Sequence, residues 1–121
     1  MPTEAGSMIR PIGMAIVLMG ALSVGVSAQD AKKIQTGKQL YGSKECAKCH
    51  MIAGKGNKIG VLDHVATKVS ADDMRKWLTA PVDMEAKLDH KPKVKMSSKL
   101  AQMKLTDADV DALVAYLMTL K

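Results

Sequence analysis

The chain has 121 residues, with 18 Lys and Arg against 12 Asp and Glu, a net charge of +6, and aromatic residues at only 2%. That length bounds the answer to one domain. So few aromatics leave no platform on which bases could stack, so nucleic acid is not expected as a partner in spite of the positive charge.

Residues 1–28 read as a secretory signal. Arg10 closes a weak basic region, Ile12 to Val26 form an apolar stretch without a charge, and Val26-Ser27-Ala28 is a small-residue cleavage site. The stretch falls short of the ~20 residues a membrane span needs. The alternative reading is an uncleaved anchor through residues 12–27, because Glu4 interrupts the basic region. Cleavage after Ala28 leaves 121 − 28 = 93 residues, 29–121, as the functional domain with an unchanged net charge of +6. The expected location is the periplasm or the outer side of a plasma membrane.

In the mature segment, Asp30 is the expected N-cap of a first helix from about Ala31 to Tyr41, with Ile34, Gly37, Leu40 and Tyr41 on its apolar side. Gly37 sits where glycine weakens a helix by up to ~1 kcal/mol against alanine, which points to close approach of another helix. Gly42-Ser43 ends the helix, and Ser43 is the expected cap of a turn that carries Cys46-Ala47-Lys48-Cys49-His50.

That Cys-x-x-Cys-His run is the attachment signature of a c-type haem. Two thiols about one helical turn apart can bond the two vinyl groups on one porphyrin edge, and the adjacent imidazole can offer a nitrogen to the iron. A structural zinc site wants four protein ligands, and this chain has only these two cysteines. A dithiol redox motif wants a βαβ setting that the flanks do not supply. Export agrees: in an oxidising compartment the two thiols would close into a disulfide unless consumed otherwise, and thioether bonds consume them.

Residues 51–60 contain Gly54, Gly56, Asn57 and Gly60 and read as an irregular loop able to pass close to a planar ligand. Val61 to Val65 follow as a short apolar turn. Ser70-Ala71-Asp72-Asp73 opens a helix that runs to Thr79 and is stopped by Pro81. Asp83 to Leu88 is the next expected helical turn. Met96-Ser97-Ser98 is placed in extended loop, with a further turn from Leu100 to Met103. Thr106-Asp107-Ala108-Asp109 opens a last helix to about Leu120, with Val110, Leu113, Val114 and Leu117 as its apolar stripe. No stretch alternates as a strand does, so the fold class is all-α.

About 93 residues bury only roughly 60–65% of their unfolded surface. With no Phe, one Trp and two Tyr in the chain, aliphatic and Met side chains make a thin core. A haem in the middle repairs this, and the haem-free protein is expected to be unfolded or molten.

Across the mature segment the sequence resembles the single-haem class I c-type cytochromes. The match is carried by Gly37 and Tyr41, Cys46 to His50, the Gly60-Val61-Leu62-Asp63 turn, the Trp77 to Pro81 helix end, Met96, and Leu113 with Tyr116-Leu117. The resemblance implies three to five helices wrapped around the haem. It also implies that the N- and C-terminal helices cross where Gly37 and Tyr41 meet Leu113 and Tyr116. It implies one haem c bound covalently through Cys46 and Cys49, with His50 below the iron and a methionine above. Of the six methionines after residue 28, Met51 neighbours the proximal ligand and Met74 and Met118 suit helix packing. Met84 lies too far before the last helix and Met103 too near it. Met96 matches the family position, with Met103 and His90 as lesser candidates. Two departures stand out. Val61 replaces a proline whose carbonyl would accept from the proximal imidazole, and Ser97 replaces a proline after the distal methionine. His64 reads as a surface residue.

The implied function is one-electron transfer between protein partners with acidic docking surfaces. The basic ring for docking is Lys44, Lys48, Lys55, Lys58, Lys93, Lys95 and Lys99, on a monomer that transforms no substrate and meets a membrane only through an uncleaved leader. Alternatives are a haem subunit of a larger redox enzyme, or a ligand-binding or peroxidase-like protein with an open sixth position.

Overall fold

The computed structural model describes residues 27–121. The expected leader lies outside the described residues except for Ser27 and Ala28. No helix among the described residues is long and apolar enough to cross a membrane.

The described chain is mostly helical, as expected. Its helices are α1 (Ala28–Ser43), α2 (Val65–Lys68), α3 (Ala71–Thr79), α4 (Pro81–Glu85), α5 (Met96–Met103) and α6 (Asp107–Leu117). The count exceeds the expected three to five because α2 and α4 are single short turns. Three short strands also form where none was expected: β1 (His50–Ile52), β2 (Lys55–Gly56) and β3 (Gly60–Val61). Strands of two or three residues are too short to show alternation in a sequence.

The first helix begins earlier than expected. Ser27 rather than Asp30 caps it: the Asp30 N–H donates to Ser27 Oγ at 3.2 Å, and that hydroxyl donates to Asp30 Oδ2 at 2.8 Å. Asp30 thus occupies the acidic first turn, where it complements the helix dipole. Ser43 does not cap the haem-motif turn. It is the last residue of α1, and its hydroxyl donates back to Leu40 O.

The helices α1 and α6 cross at Gly37. A Cβ there would collide with the Ala112 carbonyl and the Tyr116 side chain. That close approach is the reason for glycine inside a helix. Beside the crossing, Tyr41 and Tyr116 meet edge to face with ring centroids 6.0 Å apart. The helix α6 has the expected reciprocal cap, Thr106 with Asp109, and buries Val110, Leu113, Val114 and Leu117. Met74 of α3 joins Val110, Val114 and Leu117 in the core, and Arg75 pairs with Asp111 across the same two helices. Pro81 does end α3, but it also opens α4 at the first helical position, where its missing N–H costs nothing.

Candidate functional site

The segment from Cys46 to His50 changes backbone form within five residues. Glu45, in the left-handed region at φ 58°, turns the chain out of α1. Cys46 to Lys48 form a 3-10 turn, closed by the Cys49 N–H donating to Cys46 O at 3.1 Å. His50 then begins β1. Both cysteines are free thiols and half-buried. Burial pushes the Cys46 thiol above its ordinary pKa.

The following loop is tied around His50 by its backbone. In the parallel pairing of β1 with β3, His50 faces Gly60 and Met51 faces Val61. The Gly60 N–H donates to Cys49 O at 3.0 Å, the Asn57 N–H to His50 O at 3.0 Å, and the Leu62 N–H to Met51 O at 2.9 Å. His50 Nδ1 lies 3.0 Å from Gly60 O. A carbonyl can only accept, so Nδ1 carries the proton and Nε2 keeps its lone pair. The acceptor is therefore Gly60 and not Val61. The strand register fixes it, and Val61, one residue on, is 54% exposed. Burial also lowers the His50 pKa, against the opposing bond to Gly60, which favours the neutral imidazole that can act as a ligand. A side chain at Gly60 would put its Cβ 2.5 Å from His50 Nδ1.

His50 and Cys46 line an apolar cavity of about 210 Å³. Its other walls are Tyr41, Leu62, Val65, Val69, Met74, Trp77, Leu78, Leu113, Leu117 and Met96. The cavity joins a wider groove of about 740 Å³ that adds Cys49, Gly60, Glu85, Val94 and the groove-facing residues of α5. Cys46, His50, Trp77, Leu78, Met96 and Leu113 line both spaces. Met96 thus shares one cavity with His50, although 46 positions separate them.

The lesser candidates are placed differently. Met103 lines the groove but not the inner cavity, and His90 is exposed and lines neither. Met74 lines the inner cavity, but its place is in the core among Val110, Val114 and Leu117. His64 is exposed, as expected.

Met96 is not in a loop. It is the first residue of α5, whose N-cap, Lys95, offers no side-chain bond. Glu85 takes that role from the end of α4. Its Oε1 accepts from the Ser97 N–H at 2.8 Å, and its Oε2 accepts from the Ser97 hydroxyl at 2.9 Å. These bonds, the Ser97 N–H first, hold the Glu85 carboxyl below its usual range. Nothing in the sequence marks Glu85, because its partner lies 12 residues away across an irregular segment.

A family model described as Cytochrome c matches residues 34–121. The chain belongs to the cytochrome c family. No match was found among curated proteins or among solved structures. Membership brings a covalent haem c and a role in electron transfer, and Cys46 and Cys49 are the attachment pair. The residues present fit that group. One free thiol, Cys46, lines the apolar cavity and the other, Cys49, the adjoining groove, an imidazole with a free Nε2 lines both, and Gly60 leaves no bulk against that ring.

Among the described residues one buried side-chain polar atom lacks a hydrogen-bond partner: the Tyr41 hydroxyl, at the cavity wall. Burial, the largest cause, pushes its pKa from 10.0 up to about 12. The folded state therefore favours the protonated phenol. This contribution to stability is full below pH ~10 and is lost as pH rises towards about 12. Tyrosinate absorbance should show a late-titrating phenol that disappears in Tyr41→Phe. Removing the orphan hydroxyl should leave stability unchanged or raise it by about 1 kcal/mol in thermal unfolding.

Proposed function

We propose that this chain is an exported one-electron carrier, with His50 and Met96 as the two axial ligands of its haem. When bound, the haem supplies the redox couple. The chain supplies ligands, potential and docking. The observation that carries the reading is that His50 and Met96 line one apolar cavity, with His50 Nδ1 committed to Gly60 and Nε2 left for a metal. That second interaction of the imidazole fixes its tautomer and its orientation and increases its basicity. A thioether on the opposite side favours reduced iron and raises the potential.

The reading extends to docking. Ile59 and Val94 stand 67% and 44% exposed on the groove, and Lys55, Lys58, Lys93, Lys95 and Lys99 are exposed as well. An apolar centre with a basic surround suits brief encounters with an acidic redox protein. Lys44, half-buried on the same groove, keeps its charge while its Nζ donates to Met103 O at 3.2 Å at the end of α5. Lys48 pairs locally with Glu45 at 2.7 Å.

The visible spectrum of the oxidised protein tests the ligand assignment. A weak band near the red edge should be present, and Met96→Ala should abolish it. The variant's reduction potential should fall by more than about 60 mV, the one-electron equivalent of a tenfold change. Fast carbon monoxide binding by the reduced native protein, with no such band in the oxidised form, would establish an open sixth position instead.

A further inference from the structure

We propose that Glu85 is a positioning residue for Met96, acting through Ser97. The segment between Glu85 and Met96, residues 86–95, forms no helix or strand and carries Lys87, Lys91, Lys93 and Lys95. Such a segment gives Met96 little guidance of its own. Directly after Met96 this chain has Ser97. Serine adds a backbone N–H and a hydroxyl, and Glu85 takes both.

Three features make this a clamp. The two bonds use both carboxylate oxygens, so they fix direction as well as distance. The acceptor is anionic and lies at the N-terminal end of α5, whose first N–H groups have no helical partner and whose own cap residue supplies none. The clamp also joins the end of α4 to the start of α5, closing the base of the 86–95 segment. Met84, beside Glu85 on α4, is buried at 8% exposure and seats that helix in the domain. Ser97, and with it Met96, is thereby referred to a seated element rather than to the irregular, lysine-rich segment 86–95.

This inference rests on Met96 being the axial ligand. Weakening the clamp should raise the fraction of molecules in which Met96 is off the iron. An added ligand for ferric haem, cyanide, would then bind more tightly, while the fold stays intact. Glu85→Ala in the haem-loaded protein should raise cyanide affinity about tenfold, the worth of a charge-assisted hydrogen bond. Ser97→Ala keeps the backbone bond and should give a smaller rise. Glu85→Gln keeps an acceptor for the N–H and a donor for the hydroxyl, and should restore most of the native affinity.

Unchanged cyanide affinity and an unchanged red-edge band in Glu85→Ala would overturn the clamp. So would Glu85→Gln behaving like Glu85→Ala. If Glu85→Ala does not accumulate, Ser97→Ala decides alone: a rise supports the clamp and native affinity overturns it. Met96→Ala, measured in parallel, separates the two readings. If that variant keeps the band, the ligand assignment has failed. If it loses the band while Glu85→Ala matches the native protein, only the clamp has failed.

Discussion

Cys46→Ala/Cys49→Ala, made where no haem can attach, should yield a chain with weak helical signal, no cooperative thermal transition and rapid proteolysis. The haem-loaded protein should unfold cooperatively. Among the described residues only seven hydrophobic side chains are buried, and none is fully enclosed. Three of the seven, Met74, Leu113 and Leu117, also form walls of the apolar cavity. Without its cofactor the domain would carry an apolar space of about 210 Å³ at its centre. Were that space sealed from water it would cost on the order of 5 kcal/mol at about 24 cal/mol per Å³; open to the groove, it leaves its apolar walls in water instead. A small domain has only ~5–15 kcal/mol in total. Leu62, Val65, Val69 and Leu78 would face the same space, so the loss spreads from α2 through α3 to α6. Circular dichroism of the double variant beside the loaded protein decides it. A cooperative transition in the haem-free chain would show that α1 and α6 suffice.

Gly37→Ala should be the most damaging single-methyl change in the helices. The added Cβ meets the Ala112 carbonyl and Tyr116 Cβ, which belong to the backbone and root of α6 and cannot swing aside. The two helices must separate, opening the Tyr41–Tyr116 contact. Overpacking of this kind costs about 3 kcal/mol at the upper end of its range. Improved helix propensity returns at most ~1 kcal/mol. A net loss of 2 kcal/mol or more lowers Tm by roughly 8–16 °C in a domain of this size. Gly42→Ala is the matched comparison. It lies in the same helix with nothing within 4 Å of its Cβ, so it should be neutral or mildly stabilising. Equal effects from the two substitutions would refute the crossing as the reason for Gly37.

Much of the site was legible because covalent chemistry demands adjacency. Cys46 and Cys49 must be near neighbours in sequence to serve one porphyrin edge. The crossing was legible through Gly37, whose helix position makes sense only with a close neighbour. The acceptor for His50 was not legible. Choosing Gly60 over Val61 depends on a parallel strand register that two residues cannot announce. The start of α5 was hidden because Lys95 is a poor cap and the true acceptor, Glu85, comes from elsewhere in the chain. The start of α1 was misplaced because Ser27 falls inside the expected leader, so Asp30 looked like the first available cap. Pro81 read as a stop because proline signals both the end of one helix and the first turn of the next.

The meeting of α1 with α6 also sets an order of events. Synthesis runs from the N-terminus, so residues 28–43 emerge long before residues 107–117 exist. Until then the Gly37 face has no partner and the walls contributed by Leu113 and Leu117 are missing. Without those two walls the space beside Cys46 is more open than in the folded domain. That is the state in which a porphyrin can approach both thiols edge-on. The last helix supplies Leu113 and Leu117, so the walls around Cys46 and His50 are complete only once residues 107–117 have packed onto α1.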